Sequence, residues 1–88
     1  MGPYEWDDVK NAENLSKHRV DFELVEQFEW DTAVFQLDVR FDYGEERIRA
    51  FGRIAGRPFC VVYTMRGVKV RIISLRSMHE KEARRYAI

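Results

Sequence analysis

Two histidines and a dense set of arginines are the side chains of this sequence best suited to chemistry. Imidazole carries protons near neutral pH, and the planar guanidinium grips phosphate in a bidentate fork and stacks on bases. The cations are concentrated late in the chain. Residues 47–88 hold eleven Lys or Arg against only Glu80 and Glu82, whereas residues 1–46 hold four against thirteen Asp or Glu. The halves therefore carry +9 and −9 inside a chain of formal net charge zero, and nine of the eleven late cations are arginine. That pattern favours a nucleic-acid ligand for the second half. The competing reading is that the halves fold together and their charges pair across solvated surfaces.

Other chemistries are excluded by what is missing. Cys60 is the only cysteine, so no intramolecular disulfide forms and no thiolate joins His18 and His79 in a zinc cluster. No nucleophile elbow, phosphate-cradling glycine loop, HExxH pair or carboxylate ligand cluster occurs, and neither a metal nor a cofactor is expected. No stretch reaches the ~18 apolar residues of a membrane span, and the acidic opening is unlike a signal peptide. The expected address is cytoplasmic, with no membrane partner. Eighty-eight residues suffice for a single domain, 1–88, with 45% apolar side chains to fill its core.

The elements that must position these groups read as α+β. Tyr4 to Trp6 is a short extended start. Asp7 caps a first helix from Asp8 to about His18, with Val9, Ala12 and Leu15 as its apolar stripe. Asp21 caps a second helix ending near Phe28, with Val20 and Val25 at staple positions. From Val34 the period becomes two: Phe35, Leu37, Val39 and Phe41 alternate with Gln36, Asp38 and Arg40, as in a half-buried strand. Asp42 to Gly44 turns the chain into a second strand, Arg47 to Ile54, with Ile48, Ala50 and Ile54 on one face and Arg47, Arg49 and Arg53 on the other. Gly56 to Pro58 turns again, and Phe59 to Met65 reads as a central strand buried on both faces. Arg66 and Gly67 lead into Val68 to Arg76. Ser77 and Glu80 have capping-box spacing for a last helix from Met78, which places Met78, Glu82 and Tyr86 on one side. The expected architecture is two N-terminal helices, a four-stranded antiparallel meander and a short C-terminal helix.

The order and spacing of many short motifs resemble the BrnT toxins. The likeness runs through Glu5 to Asp7, Lys10, Asn14, Lys17, His18, Val20 and Phe22, then Gly44, Glu45 and Arg47. It continues through Gly52, Gly56, Arg57, Val62, Tyr63 and Arg66 to Arg71–Ser74, Arg76, Glu82 and Tyr86. The resemblance implies a small endoribonuclease toxin of a type II toxin–antitoxin pair with a RelE-like fold. It further implies neutralisation by a BrnA antitoxin, a ribbon-helix-helix protein, with operator DNA bound only through the joint complex. The chain departs from the family pattern at Arg19, where Gly is usual, at Met78, where a small residue is usual, and at Ala83, where Arg often follows the Glu.

RNA transesterification requires a base for the 2′-hydroxyl, an acid for the leaving 5′-oxygen and cations on the phosphorane. His18, beside Lys17 at a helix C-terminus that favours its protonated form, is the candidate acid; its other reading is a helix-capping histidine. His79 matches no family position and reads as surface. Arg71 and Arg76 are the expected charge stabilisers, with Glu82 as base or as a group that orients a guanidinium, against a plain Arg76–Glu82 ion pair. Lys17 is expected to bind RNA, Arg47, Arg49, Arg53 and Arg66 to hold its phosphates, and Tyr63 and Tyr86 to stack on a base, with a solvated sheet face as the alternative for the arginines and core packing for Tyr63. Trp6 and Trp30 read as packing anchors or part of the antitoxin surface rather than catalytic groups, and Cys60 as a buried, inert thiol. The class set against the enzyme is a non-catalytic module that binds antitoxin and nucleic acid as a corepressor.

Overall fold

A computed structural model describes residues 3–88. Asp7 caps α1 (Asp8–His18) by accepting hydrogen bonds from the backbone N–H groups of Val9 and Lys10, and Arg19 ends the helix in the left-handed region at φ 60°. At that φ a Cβ is strained. The expected apolar stripe is not the buried side. Val9 and Leu15 are exposed, and the sheet-facing side carries Asn11, Asn14 and His18 at helical spacing. Polar contacts anchor this helix. The Asn14 amide donates to the carbonyls of Val20 and Leu75, and its oxygen accepts from the Leu75 N–H.

The second helix is of the 3-10 type, Phe22–Gln27, capped by Asp21 as expected. Phe22 and Val25 are fully buried and Val20 nearly so. A 3-10 turn at Trp30–Thr32 follows. The sheet has five strands rather than four, in the order β1 (Tyr4–Glu5), β5 (Lys69–Ser77), β4 (Arg57–Arg66), β3 (Ile48–Ile54), β2 (Val34–Leu37). The extended start is the extra strand, parallel to β5, and the rest is the antiparallel meander.

Two-residue turns set the registers. Ala55 and Gly56, both at positive φ, join β3 to β4, and Gly67 at φ 61° opens the turn from β4 to β5. The strand expected over Val34–Phe41 stops at Leu37, and its apolar side chains are not buried. Phe35, Leu37, Val39 and Phe41 are 48–76% exposed, whereas Asp38 is buried. An edge strand has one neighbour, and among the described residues Trp30 covers only part of its apolar side.

Val20, Phe22, Val25 and Phe28 pack on the first face of the sheet against Ala50, Ile54, Phe59, Val61, Tyr63, Ile72 and Leu75. Gly52 permits this approach, because a Cβ there would lie 2.6 Å from the Phe28 ring. On the second face a smaller cluster of Phe51, Cys60 and Val62 meets Met78, Ala83 and Tyr86 around α2 (Glu80–Arg85). That helix begins at Glu80, not Met78, with His79 as its cap residue and no side-chain capping bond. The expected capping box is absent because the Glu80 carboxylate binds Arg53 instead.

Candidate RNA-binding cleft

Because α2 covers only one end of the second face, the rest is open. The Phe51–Tyr86 ring stack, with centroids 3.6 Å apart, closes the covered end. Beyond it lies a cleft of about 320 Å³ lined by Lys17, His18, Arg40, Arg47, Arg49 and Arg76, over a floor that includes Cys60, Val62, Ile73 and Ser74. Arg49 on β3 and Arg47 just before that strand both line it, as expected of one alternating face. On β5 an irregularity does the aiming. Val62 pairs with Ser74 and Tyr63 with Ile72, so Ile73 is the extra residue of a bulge, and both Ile73 and Ser74 line the cleft. The C-terminus of α1 brings Lys17 and His18, held over β5 by Asn14.

Among the described residues the lining has five cations and a single carboxylate, Asp38. Asp38 is already satisfied: its side chain, 1% exposed, accepts two hydrogen bonds from the Arg40 guanidinium and one from the Tyr43 hydroxyl. The Arg40 bonds hold its carboxyl well below the usual carboxylate range. Arg76 is gripped by Glu82 through two bonds of 3.3 and 2.9 Å. This pairing raises the arginine and lowers the carboxyl, so Glu82 is ionised and fixes a guanidinium. Arg47 donates to Glu45 at 3.1 Å and lies 4.1 Å from the Tyr43 ring centre. Arg49 reaches Gln36, but its Nε is buried with no acceptor among the described residues. A buried N–H left without an acceptor is costly.

Burial, then the charges of Lys17 and Arg76, lower the His18 pKa below its ordinary value. That direction favours the neutral imidazole over the protonated one.

Several expected site residues lie elsewhere. Arg71 is paired at 3.0 Å with Glu5 at the β1 edge. Arg53 shares the second face, but beyond the Phe51–Tyr86 stack, where it binds Glu80 and the carbonyls of Gly56 and Ile88. Arg66 is at the hairpin tip, 3.9 Å from Glu45. Tyr63 points to the other face, packed edge-on against Trp30, and burial raises its pKa. Tyr86 packs on Phe51. Tyr63 thus packs in the core, the alternative given for it. Cys60 is buried and its pKa is pushed up to about 11 by desolvation, as expected of an inert thiol. Trp30 anchors packing, donating to the Tyr4 hydroxyl at 2.7 Å, and Trp6 meets Phe22 edge-on. The sequence reading missed Arg40, Tyr43 and Ser74. Asp38 two residues before Arg40, on what reads as a polar strand face, was the available signal for the first of these.

Residues 6–82 match the model of one protein family, described as the ribonuclease toxin BrnT of type II toxin–antitoxin systems. No curated protein matches the chain. No helix among the described residues is long and apolar enough to cross a membrane.

Proposed function

Because the chain belongs to the BrnT family of ribonuclease toxins, we propose that it cuts RNA in the cleft on the open face of the sheet, by transesterification within the RNA strand. The observation that carries this reading is the convergence of Lys17, His18, Arg47, Arg49 and Arg76 on one cleft whose single carboxylate is already held by Arg40. Arg49 and Arg76 grip the scissile phosphate and stabilise the phosphorane. Arg47 holds a neighbouring phosphate. Neutral His18 takes the proton of the 2′-hydroxyl as its oxygen attacks phosphorus. The bond to the 5′-oxygen breaks and that oxygen takes a proton from the Lys17 ammonium. The products are a 2′,3′-cyclic phosphate and a free 5′-hydroxyl. Glu82 acts as a positioning residue through Arg76. Loss of cut RNA curbs growth. The antitoxin is a BrnA-type ribbon-helix-helix protein, and operator DNA is bound only through the joint complex.

The test is cleavage of a defined RNA by purified protein in EDTA, with analysis of the ends. Cyclic or 2′/3′-phosphate ends support the reading. A strict requirement for Mg²⁺, or 3′-hydroxyl ends, overturns it. Operator binding by the complex with no cleavage and no growth arrest would assign the chain to the non-catalytic corepressor class.

A further inference from the structure

The first face of the sheet is not fully covered either. Cross-strand partners share a face, and Phe35 and Leu37 stand opposite Ala50 and Ile48, which belong to the first-face cluster. Phe35 and Leu37 are nevertheless half exposed, as is Met65. Between them and the packed core lies a groove of about 310 Å³ whose lining includes Tyr4, Trp30, Phe35, Tyr63, Met65 and Val70. Stacking of Trp30 on Phe35 and its edge contact with Tyr63 make this a built aromatic floor rather than scattered apolar side chains. Beside it runs β2, the outer strand of the sheet, with no further strand paired to it among the described residues. An uncovered apolar sheet face next to a free edge marks a protein-binding surface.

Charge says what kind of protein. Trp30 is flanked in sequence by Glu29 and Asp31, and the stretch from Asp21 to Asp31 also holds Glu23 and Glu26, with no Lys or Arg from Asp21 to Val39. These side chains are exposed and form no ion pair among the described residues.

We infer that this groove seats the chain's antitoxin, through a segment with apolar side chains over Trp30, Phe35 and Met65 and Lys or Arg beside Glu29 and Asp31. The inference rests on family membership, which implies an antitoxin, and not on the catalytic reading. The groove and the cationic cleft lie on opposite faces, so holding the antitoxin and cutting RNA are separable by mutation.

The experiment uses the full chain and the purified antitoxin encoded beside it. Binding is measured by calorimetry for the wild type, Phe35→Glu, the milder Phe35→Ala, and Glu29→Lys with Asp31→Lys, with circular dichroism reporting the fold and RNA cleavage measured in parallel. Phe35→Glu is expected to weaken antitoxin binding by about 30-fold or more while cleavage by the free toxin stays within about twofold. The double lysine variant weakens binding most at low salt. Undiminished antitoxin affinity in a folded Phe35→Glu or Phe35→Ala protein overturns the inference. So does a toxin homodimer that Phe35→Glu dissociates without changing antitoxin affinity, because the groove then belongs to a second copy. Loss of cleavage in wild type and variants alike would count against the catalytic reading and leave the binding comparison intact.

Discussion

Two groups of arginines on this small sheet differ in what surrounds them. Arg53, Arg66 and Arg71 stand at its periphery, each facing a carboxylate from another element: Glu80, Glu45 and Glu5. Arg47, Arg49 and Arg76 stand together in the cleft, where the one lining carboxylate is taken by Arg40 and where Glu45 and Glu82 grip Arg47 and Arg76 without joining the lining. Exposed ion pairs of the first kind stabilise little and tie segments together. A cluster of the second kind pays for its crowding of like charge with carboxylates placed at its edge, and leaves guanidinium N–H groups for an anion. The −9 and +9 halves of the sequence therefore do both things that the charge pattern allowed: some charges pair across the fold, and the remainder gather.

The sharpest way to break this comparison is substitution across the two groups. Arg76→Ala is expected to lower the cleavage rate by about 10²–10³-fold, the loss typical of a donor to a developing oxyanion, and to abolish growth arrest. Arg71→Ala should leave the single-turnover rate within about threefold. An equal loss in both variants would erase the distinction. Gly52→Val tests the packing that separates the faces. Its side chain enters the space of the buried Phe28 ring and is expected to cost about 1–3 kcal/mol in urea unfolding. Glu82→Gln sharpens the division between positioning and proton transfer. A rate loss of about tenfold with an unchanged pH profile fits a residue that orients Arg76, whereas disappearance of one limb would make Glu82 a proton carrier.

The pH dependence has a worked sign. His18 is held below its ordinary value by burial and by Lys17 and Arg76, so the neutral base is retained into mildly acidic solution. Cleavage should be level at neutral pH and fall with unit slope only as pH drops through that lowered pKa, below 6.5. His18→Ala should remove the limb. The same shift makes the fold lose stability as pH falls below 6.5, because the unfolded chain then binds the proton more readily. The smallest expected effect is at Arg19, whose φ of 60° is strained for a side chain. Arg19→Gly should stabilise by at most about 1 kcal/mol, since part of the relief is offset by the freer unfolded chain.

Much of the fold was legible in the sequence because it is locally encoded. The Asp7 cap, the hairpins at Gly56 and Gly67, the doubly buried β4 and the alternation that sets Arg47 and Arg49 on one face all follow from neighbours a few residues apart. What was not legible depends on distant partners. Glu80 fits a capping box but binds Arg53, and Arg71 fits the site but is claimed by Glu5 on a strand that exists only because β5 lies beside it. The apolar alternation of Phe35 and Leu37 puts them on the core side of the sheet, opposite Ala50 and Ile48, but period two cannot say how far along a strand that face is covered. The side chains of Tyr63 and Arg76 are both on strands of the same sheet, and only its packing reveals that they point to opposite faces.

The most direct measurement maps a bound but uncleavable oligonucleotide, carrying 2′-O-methyl groups, onto the protein by NMR chemical-shift perturbation. The expected perturbations centre on Lys17, His18, Arg49, Ser74 and Arg76 and spare Arg53, Arg71 and the Trp30 groove. Perturbations centred on that groove, or on Arg53 and Arg71 with the cleft silent, would contradict the assignment of the cleft as the place where RNA is held and cut.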